Sequence, residues 1–198
     1  MIERYMSEEI LQKVESYVSR CFELDSPDFL SYHNLQHTRE VVVHAKEIGD
    51  HYRLAEERMF ILLAAAWFHD LGFLYTTPEK HEEKSSELMR VFLAPYCPEY
   101  ILSAIEGLIF ATRYPTTPTR FLEEMICDAD TFHFGTSYFL ITDDRVKKEM
   151  EGRTGGEMQN WKNQSLLLLR AHRFYTSYCR QLLDKGKMEN IRILESSS

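Results

Sequence analysis

The chain has 198 residues, 44% hydrophobic and 27% charged, with 12 Phe, 11 Tyr and 2 Trp. Such a composition excludes disorder as its main state and suits a single domain with a real core. Twenty-three Lys and Arg against 31 Asp and Glu leave a net charge of −8, which disfavours nucleic acid and anionic membrane as partners but leaves room for a small phosphorylated substrate. Eight Gly and six Pro are too few for a fold of many tight turns, so the expected class is all-α. The first helix carries Ile10, Val14, Tyr17, Val18 and Cys21 at helical spacing behind a Ser7 N-cap, and Ser26-Pro27 ends it. The second runs from Leu35 to about Asp50 with Val41, Val42, Ala45 and Ile48 on one face. The third, about Ala55 to Phe68, is apolar almost all round and therefore central. Pro78 opens a fourth, with Leu88, Val91 and Phe92 expected on its buried side, and Pro98 opens a fifth containing Ile101, Ile105, Leu108 and Ile109.

Arg113 to Arg120 is a loop, Phe121 to Asp130 a sixth helix, and the polar stretch from Thr142 to Gly156 reads as a mobile surface excursion. One long closing helix is expected from Glu157 to about Lys185, with Trp161, Leu168, Leu169, His172 and Tyr175 on one face, and the SSS tail is expected to fray. No repeat, linker or alternating strand pattern appears, so residues 1–198 are expected to form one unit, a compact multi-helix bundle. The longest apolar run, Met59 to Phe68, falls short of the roughly 20 residues a bilayer span needs. The first residues do not read as a signal peptide. Cys21, Cys97, Cys127 and Cys179 form no C-x-x-C pair and read as reduced thiols, so a cytoplasmic location is expected.

Chemistry concentrates in His37, His69-Asp70 and Asp130, each at the edge of a different helix. Two imidazoles and two carboxylates suit a divalent first-row metal or Mg²⁺. Asp70 directly follows an apolar helix, where burying it unpaired is costly, so a metal, an Arg or a Lys must neutralise it. An isolated H-D pair would more often be a polar helix end. Here it stands within YHNLQHT, AAWFHDLG, HEEKSSELM, IFATRYP and CDADTFHFG. Together these segments, from about Tyr32 to Gly135, resemble the HD superfamily of metal-dependent phosphohydrolases and their H…HD…D motif.

That resemblance implies a helical HD-type fold with a motif core at about 32–135, and His37, His69, Asp70 and Asp130 as metal ligands. It implies one divalent ion (Mn, Fe, Zn, Ni, Co or Mg) rather than two. His81 lies where some members place a further histidine, but Thr112 stands where the next would be. Tyr32-His33-Asn34-x-x-His37 also resembles the Y-H-N-x-x-H segment of cyclic-nucleotide phosphodiesterases, where the first histidine is the general acid. If the stretch is helical, His33 and His37 share a face one turn apart. His33 is thus assigned a catalytic role with Asp70, the alternative being packing at the helix start. His81 and Glu82 are candidates for orienting water or contacting substrate, against a plain solvated charge run. Arg113, which flanks the PTTP loop with Arg120, is a candidate phosphate ligand or a surface arginine. His133 is read as a hydrogen-bonded core residue, and His44, His51 and His172 as surface or packing residues.

The expected function is a metal-dependent phosphohydrolase, of phosphomonoesters or phosphodiesters, acting on a nucleotide or other small phosphorylated compound. The alternative is a catalytically silent nucleotide-binding or regulatory module. A zinc-protease H-E-x-x-H fits poorly because Asn34 follows His33 and H…HD…D accounts for the residues better, and a nuclease fits poorly with −8 and no basic stripe. A homodimer is a base-rate expectation.

Overall fold

The computed structural model describes residues 4–196, and side chains from Ser7 onward. The expected fraying of the tail falls partly outside this range, at Ser197 and Ser198, while Ser196 ends a helix. Among the described residues there are helices and turns and no strands, so the all-α class holds. The helices are α1 (Arg4–Asp25), α2 (Leu35–His51), α3 (Glu56–Phe68), α4 (His81–Leu93), α5 (Glu99–Ala111), α6 (Phe121–Asp130), α7 (Phe139–Thr154), α8 (Trp161–Ala171) and α9 (Ser177–Ser196). Single 3₁₀ turns at Leu71–Leu74, Pro78–Lys80 and Phe132–Gly135 interrupt the connections. No helix among the described residues is long and apolar enough to cross a membrane.

The centre is α3. Every residue from Phe60 to Phe68 is buried, and α1, α2, α4, α5 and α6 pack around it. A helix apolar on all sides is stable only when enclosed in this way. Ile10, Val14, Val18, Val41, Ala45, Ile48, Ile101, Ile105, Leu108 and Ile109 are buried as their spacing requires. The start of α2 is set by Asn34, whose side-chain oxygen accepts from the backbone N–H of Gln36 and His37. At α6, Glu123 reaches back to accept from the backbone N–H groups of Thr119 and Arg120.

Several boundaries differ from expectation. Ser7 lies inside α1 rather than capping it, since the helix already runs at Arg4. In α4 the buried residues include Met89 and Leu93, whereas Val91 is 74% exposed. Leu88 and Phe92 pack partly buried against the core as expected, so only Val91 departs from the expected face, while α4 also docks on the turn at Leu71–Leu74. There Gly72 lies so close to the His81 carbonyl that a Cβ would overlap it, and the Ser85 hydroxyl bridges the His69 carbonyl and the Gly72 N–H.

The stretch read as a surface excursion is helix α7, and its Glu149 is fully buried. The polar sequence hides this because a single inward carboxylate, satisfied by partners distant in sequence, leaves no apolar stripe. Gly152 lets α7 approach the loop at Phe29, where a Cβ would collide with the Phe29 side chain. The single closing helix is two helices, α8 and α9, separated at residues 172–176. The break is held by Asp128, whose carboxylate accepts from the Tyr175 N–H, the Thr176 N–H and the Thr176 hydroxyl at 2.7–2.8 Å. All four cysteines are free thiols, three of them buried.

Candidate metal centre

Each feature of the site follows from a helix end. The apolar helix α3 runs out at Phe68, leaving His69 and Asp70 on the turn beyond it, both buried. His37 stands on the first turn of α2, placed by the Asn34 cap. Asp130 is the last residue of α6. The ligand atoms of His37, His69 and Asp70 lie within 4.8 Å of one another, so these three buried groups could hold a metal ion. Asp130 adjoins them, its Oδ1 being 3.2 Å from His37 Nε2 and 3.5 Å from His69 Nε2.

The proton positions show what the cluster lacks. His69 Nδ1 is 2.9 Å from the Ala66 carbonyl. A carbonyl only accepts, so Nδ1 carries the proton and Nε2 presents a lone pair to the site. That nitrogen is 3.1 Å from Asp70 Oδ2, yet both atoms are buried without a hydrogen-bond partner. Two electron-rich atoms facing each other in a buried space require a cation between them. The donor set of two imidazoles and two carboxylates fits a divalent ion in chemistry as well as in position.

With protons as the only cations, the imidazoles must charge instead. Burial opposes this, but the Asp130 and Asp70 carboxylates raise His37 to about 9. His69 is raised by the same pair against the same desolvation. Burial also disfavours a charged Asp70, yet the neighbouring His69 and His37 hold it well below the usual carboxylate range.

A second ring of groups surrounds this cluster. His33 does not sit on α2: it precedes the Asn34 cap, because the helix begins only at Leu35. Its ring stands perpendicular to that of His37, centroids 6.0 Å apart. Glu149 from α7 fixes it, with Oε1 2.7 Å from His33 Nδ1 and Oε2 accepting from the Tyr32 and His33 backbone N–H groups. Burial opposes the Glu149 charge, but these bonds outweigh it and hold the carboxyl below its usual range. Arg153, one turn along, lies 3.3 Å from Glu149 Oε1.

His81 Nδ1 donates to the Pro78 carbonyl at 2.6 Å, which leaves Nε2 3.5 Å from Asp70 Oδ1. Glu82 is buried beside His81 and 3.4 Å from Arg113. Arg113 pairs more closely with Glu83, at 2.6 Å, and is half-exposed. Arg120 lies on the surface. His133 packs by the site, with Nδ1 3.2 Å from the Tyr32 hydroxyl. The structure thus brings His33, His37, His69, Asp70, His81 and Asp130 together, whereas Arg113 reaches them only through Glu82 and His81. Glu149 is the group that sequence reading missed. The sole local sign was its i,i+4 spacing to Arg153, a pattern that surface helices share.

Residues 34–135 match the HD domain family. No curated protein matches the sequence. Among solved structures, the fold is similar to a predicted HD superfamily hydrolase from an uncultured Thermotogales bacterium, at TM-score 0.63 and 16% identity over 93% of this chain and 88% of that one. It is similar to Bacillus subtilis YpgQ in complex with ADP at 0.63 and 16%, covering 96% and 95%. A Lactobacillus plantarum protein superposes at 0.68 and 16%, covering 99% and 98%. The family match spans the same stretch that carries His37, His69-Asp70 and Asp130 on their helix ends, and the chain belongs to the HD domain family.

Proposed function

We propose that this chain is a metal-dependent phosphohydrolase that cleaves a phosphoester of a nucleotide or another small phosphorylated compound. The observation that carries this reading is the buried, unpartnered pair of His69 Nε2 and Asp70 Oδ2, converging with His37 and Asp130. These four residues would hold one divalent ion. A bound divalent ion lowers the pKa of water towards neutrality and polarises a phosphoryl oxygen. Asp70 and Asp130 keep carboxylate oxygens at the site and can accept a proton from the attacking water. As an imidazolium, with both ring nitrogens protonated, His33 donates Nδ1–H to Glu149 and can give its Nε2 proton to the departing ester oxygen as the P–O bond breaks. His81 and Glu82 orient water or substrate at the far side of Asp70, and Arg113 binds phosphate on leaving Glu83. The ADP bound to the similar YpgQ supports a nucleotide-like substrate.

The test joins metal analysis to turnover. Purified protein is expected to retain about one divalent ion per chain and to hydrolyse generic phosphomono- or phosphodiesters with added Mn²⁺, Co²⁺, Ni²⁺ or Mg²⁺. Asp70→Ala is expected to lose both the metal and the activity. Metal-dependent turnover surviving that substitution sinks the assignment, and nucleotide-induced thermal stabilisation without product favours a binding module instead.

A further inference from the structure

Phe73 lies on the turn that follows Asp70 and is 6% exposed. Its ring is stacked on two imidazoles at once. The His33 ring lies 4.1 Å away at an interplanar angle of 12°, and the His81 ring lies 3.9 Å away at 27°. Two rings this near and this parallel cannot share one face of a phenyl group without overlapping, so Phe73 is the middle of a three-ring sandwich. The Arg153 guanidinium lies 5.1 Å from the Phe73 centroid and equally far from that of Phe29, against the sandwich on the α7 side.

The outer rings share a further property. Each has Nδ1 committed to a protein acceptor, His33 to Glu149 and His81 to the Pro78 carbonyl. A single hydrogen bond fixes a tautomer but lets the ring pivot about it, whereas stacking fixes the ring plane. Together the two contacts set the direction of each Nε2 atom, on either side of the Phe73 ring.

We infer that Phe73 is a positioning residue of this site, sandwiched between His33 and His81 so that it fixes both ring planes and sets where His33 delivers its proton. The catalytic part rests on the phosphohydrolase reading above. In that step, the bond from water oxygen to phosphorus forms and the P–O ester bond breaks. Its electron pair goes to the leaving oxygen, which takes the Nε2 proton of the His33 imidazolium and leaves that ring neutral with Nδ1–H on Glu149, while the water proton goes to Asp70 or Asp130.

Two measurements on the Zn²⁺-loaded full chain test the inference. In ¹H–¹³C spectra assigned with His33→Gln and His81→Gln, the ring protons of both histidines are expected upfield of free imidazole through the Phe73 ring current, returning towards it in Phe73→Leu. Unshifted resonances in the native protein overturn the sandwich. In the second measurement, Phe73→Leu is expected to cut kcat by about tenfold or more for an ester with an alkoxide leaving group and by a clearly smaller factor for bis(p-nitrophenyl) phosphate, whose leaving group needs no proton and which feels only the freed His81 ring. Phe73→Tyr is expected to restore the alkoxide rate. Equal losses on both esters, or no loss on either, overturn the positioning role. Phe73→Met serves the same comparison if the Leu variant does not fold. A native protein that hydrolyses neither ester sinks the phosphohydrolase reading, and the ring shifts then decide the sandwich by themselves.

Discussion

The Glu149 carboxylate is a single charge carrying several contacts at once, receiving the His33 imidazole, two backbone N–H groups and the Arg153 guanidinium. Glu149→Gln keeps the shape but replaces one oxygen with an N–H donor, which removes the acceptor that holds the proton on His33 Nδ1. The expected result is a loss of about tenfold or more in kcat on esters with poor leaving groups while metal content stays unchanged. Destabilisation of roughly 1–3 kcal/mol in denaturant unfolding should accompany it, since hydrogen bonds to charged groups are the stronger ones. A variant that loses metal as well would place Glu149 in the metal-binding cluster rather than behind His33.

The junction of α8 and α9 shows how a helix break is held by groups far from it in sequence. Asp128 belongs to the same CDAD segment as Asp130, but it turns the other way and caps the start of α9 through Tyr175 and Thr176. His172 sits at the same junction. The Thr131 hydroxyl gives its proton to the Cys127 carbonyl at 2.7 Å, so it accepts from His172 Nε2 at 3.0 Å. Nδ1 is then the unprotonated nitrogen, and it is buried without a partner. Burial, and then the nearby Lys187 charge, lower His172 to about 3. A folded-state pKa below the unfolded one of about 6.5 means that the unfolded chain binds the extra proton in between. This contribution is complete above about pH 6.5 and is lost as pH falls towards 3. Replacing the ring by Asn should flatten the stability–pH profile in that window by an amount on the order of 1–3 kcal/mol, read from urea midpoints. An unchanged slope would mean that His172 protonates without cost.

At the scale of the whole molecule, the −8 chain folds so that the buried Asp70 and the partly exposed Asp130 meet two buried histidines at the ends of α3 and α6. Without a divalent ion, His37 stays charged up to about pH 9, and its stabilising pairing is present below about pH 6.5 and lost as pH rises through 9. A divalent ion must displace that proton. Metal affinity is therefore expected to rise with pH across this range, with proton release measurable by calorimetry in buffers of different ionisation enthalpy. An ion at 100 times its Kd should stabilise the fold by about 2.7 kcal/mol and raise Tm accordingly, and a chelator should reverse this. A Tm insensitive to both metal and chelator would count against an ion at this centre.

The sequence by itself determined the helical class and the central place of α3, because both depend on near neighbours, and it carried the four residues of the H…HD…D pattern through their resemblance to the HD superfamily. Apolar periodicity marks what must be enclosed, and the Asp70 charge after an apolar helix demands a counter-charge wherever it lands. Only the tertiary structure decided how α7 sits, since beside Phe139 and Thr142 its buried groups include one carboxylate whose partners, Tyr32 and His33, lie more than a hundred residues away. The same holds for the α8–α9 break, whose bend is paid for by Asp128 across the fold. It holds too for His33, whose surroundings of Phe73 and Glu149 arise from a short turn and a distant helix meeting in space. Periodicity records which faces are buried but carries no information on which polar groups meet, and this site is assembled from such meetings.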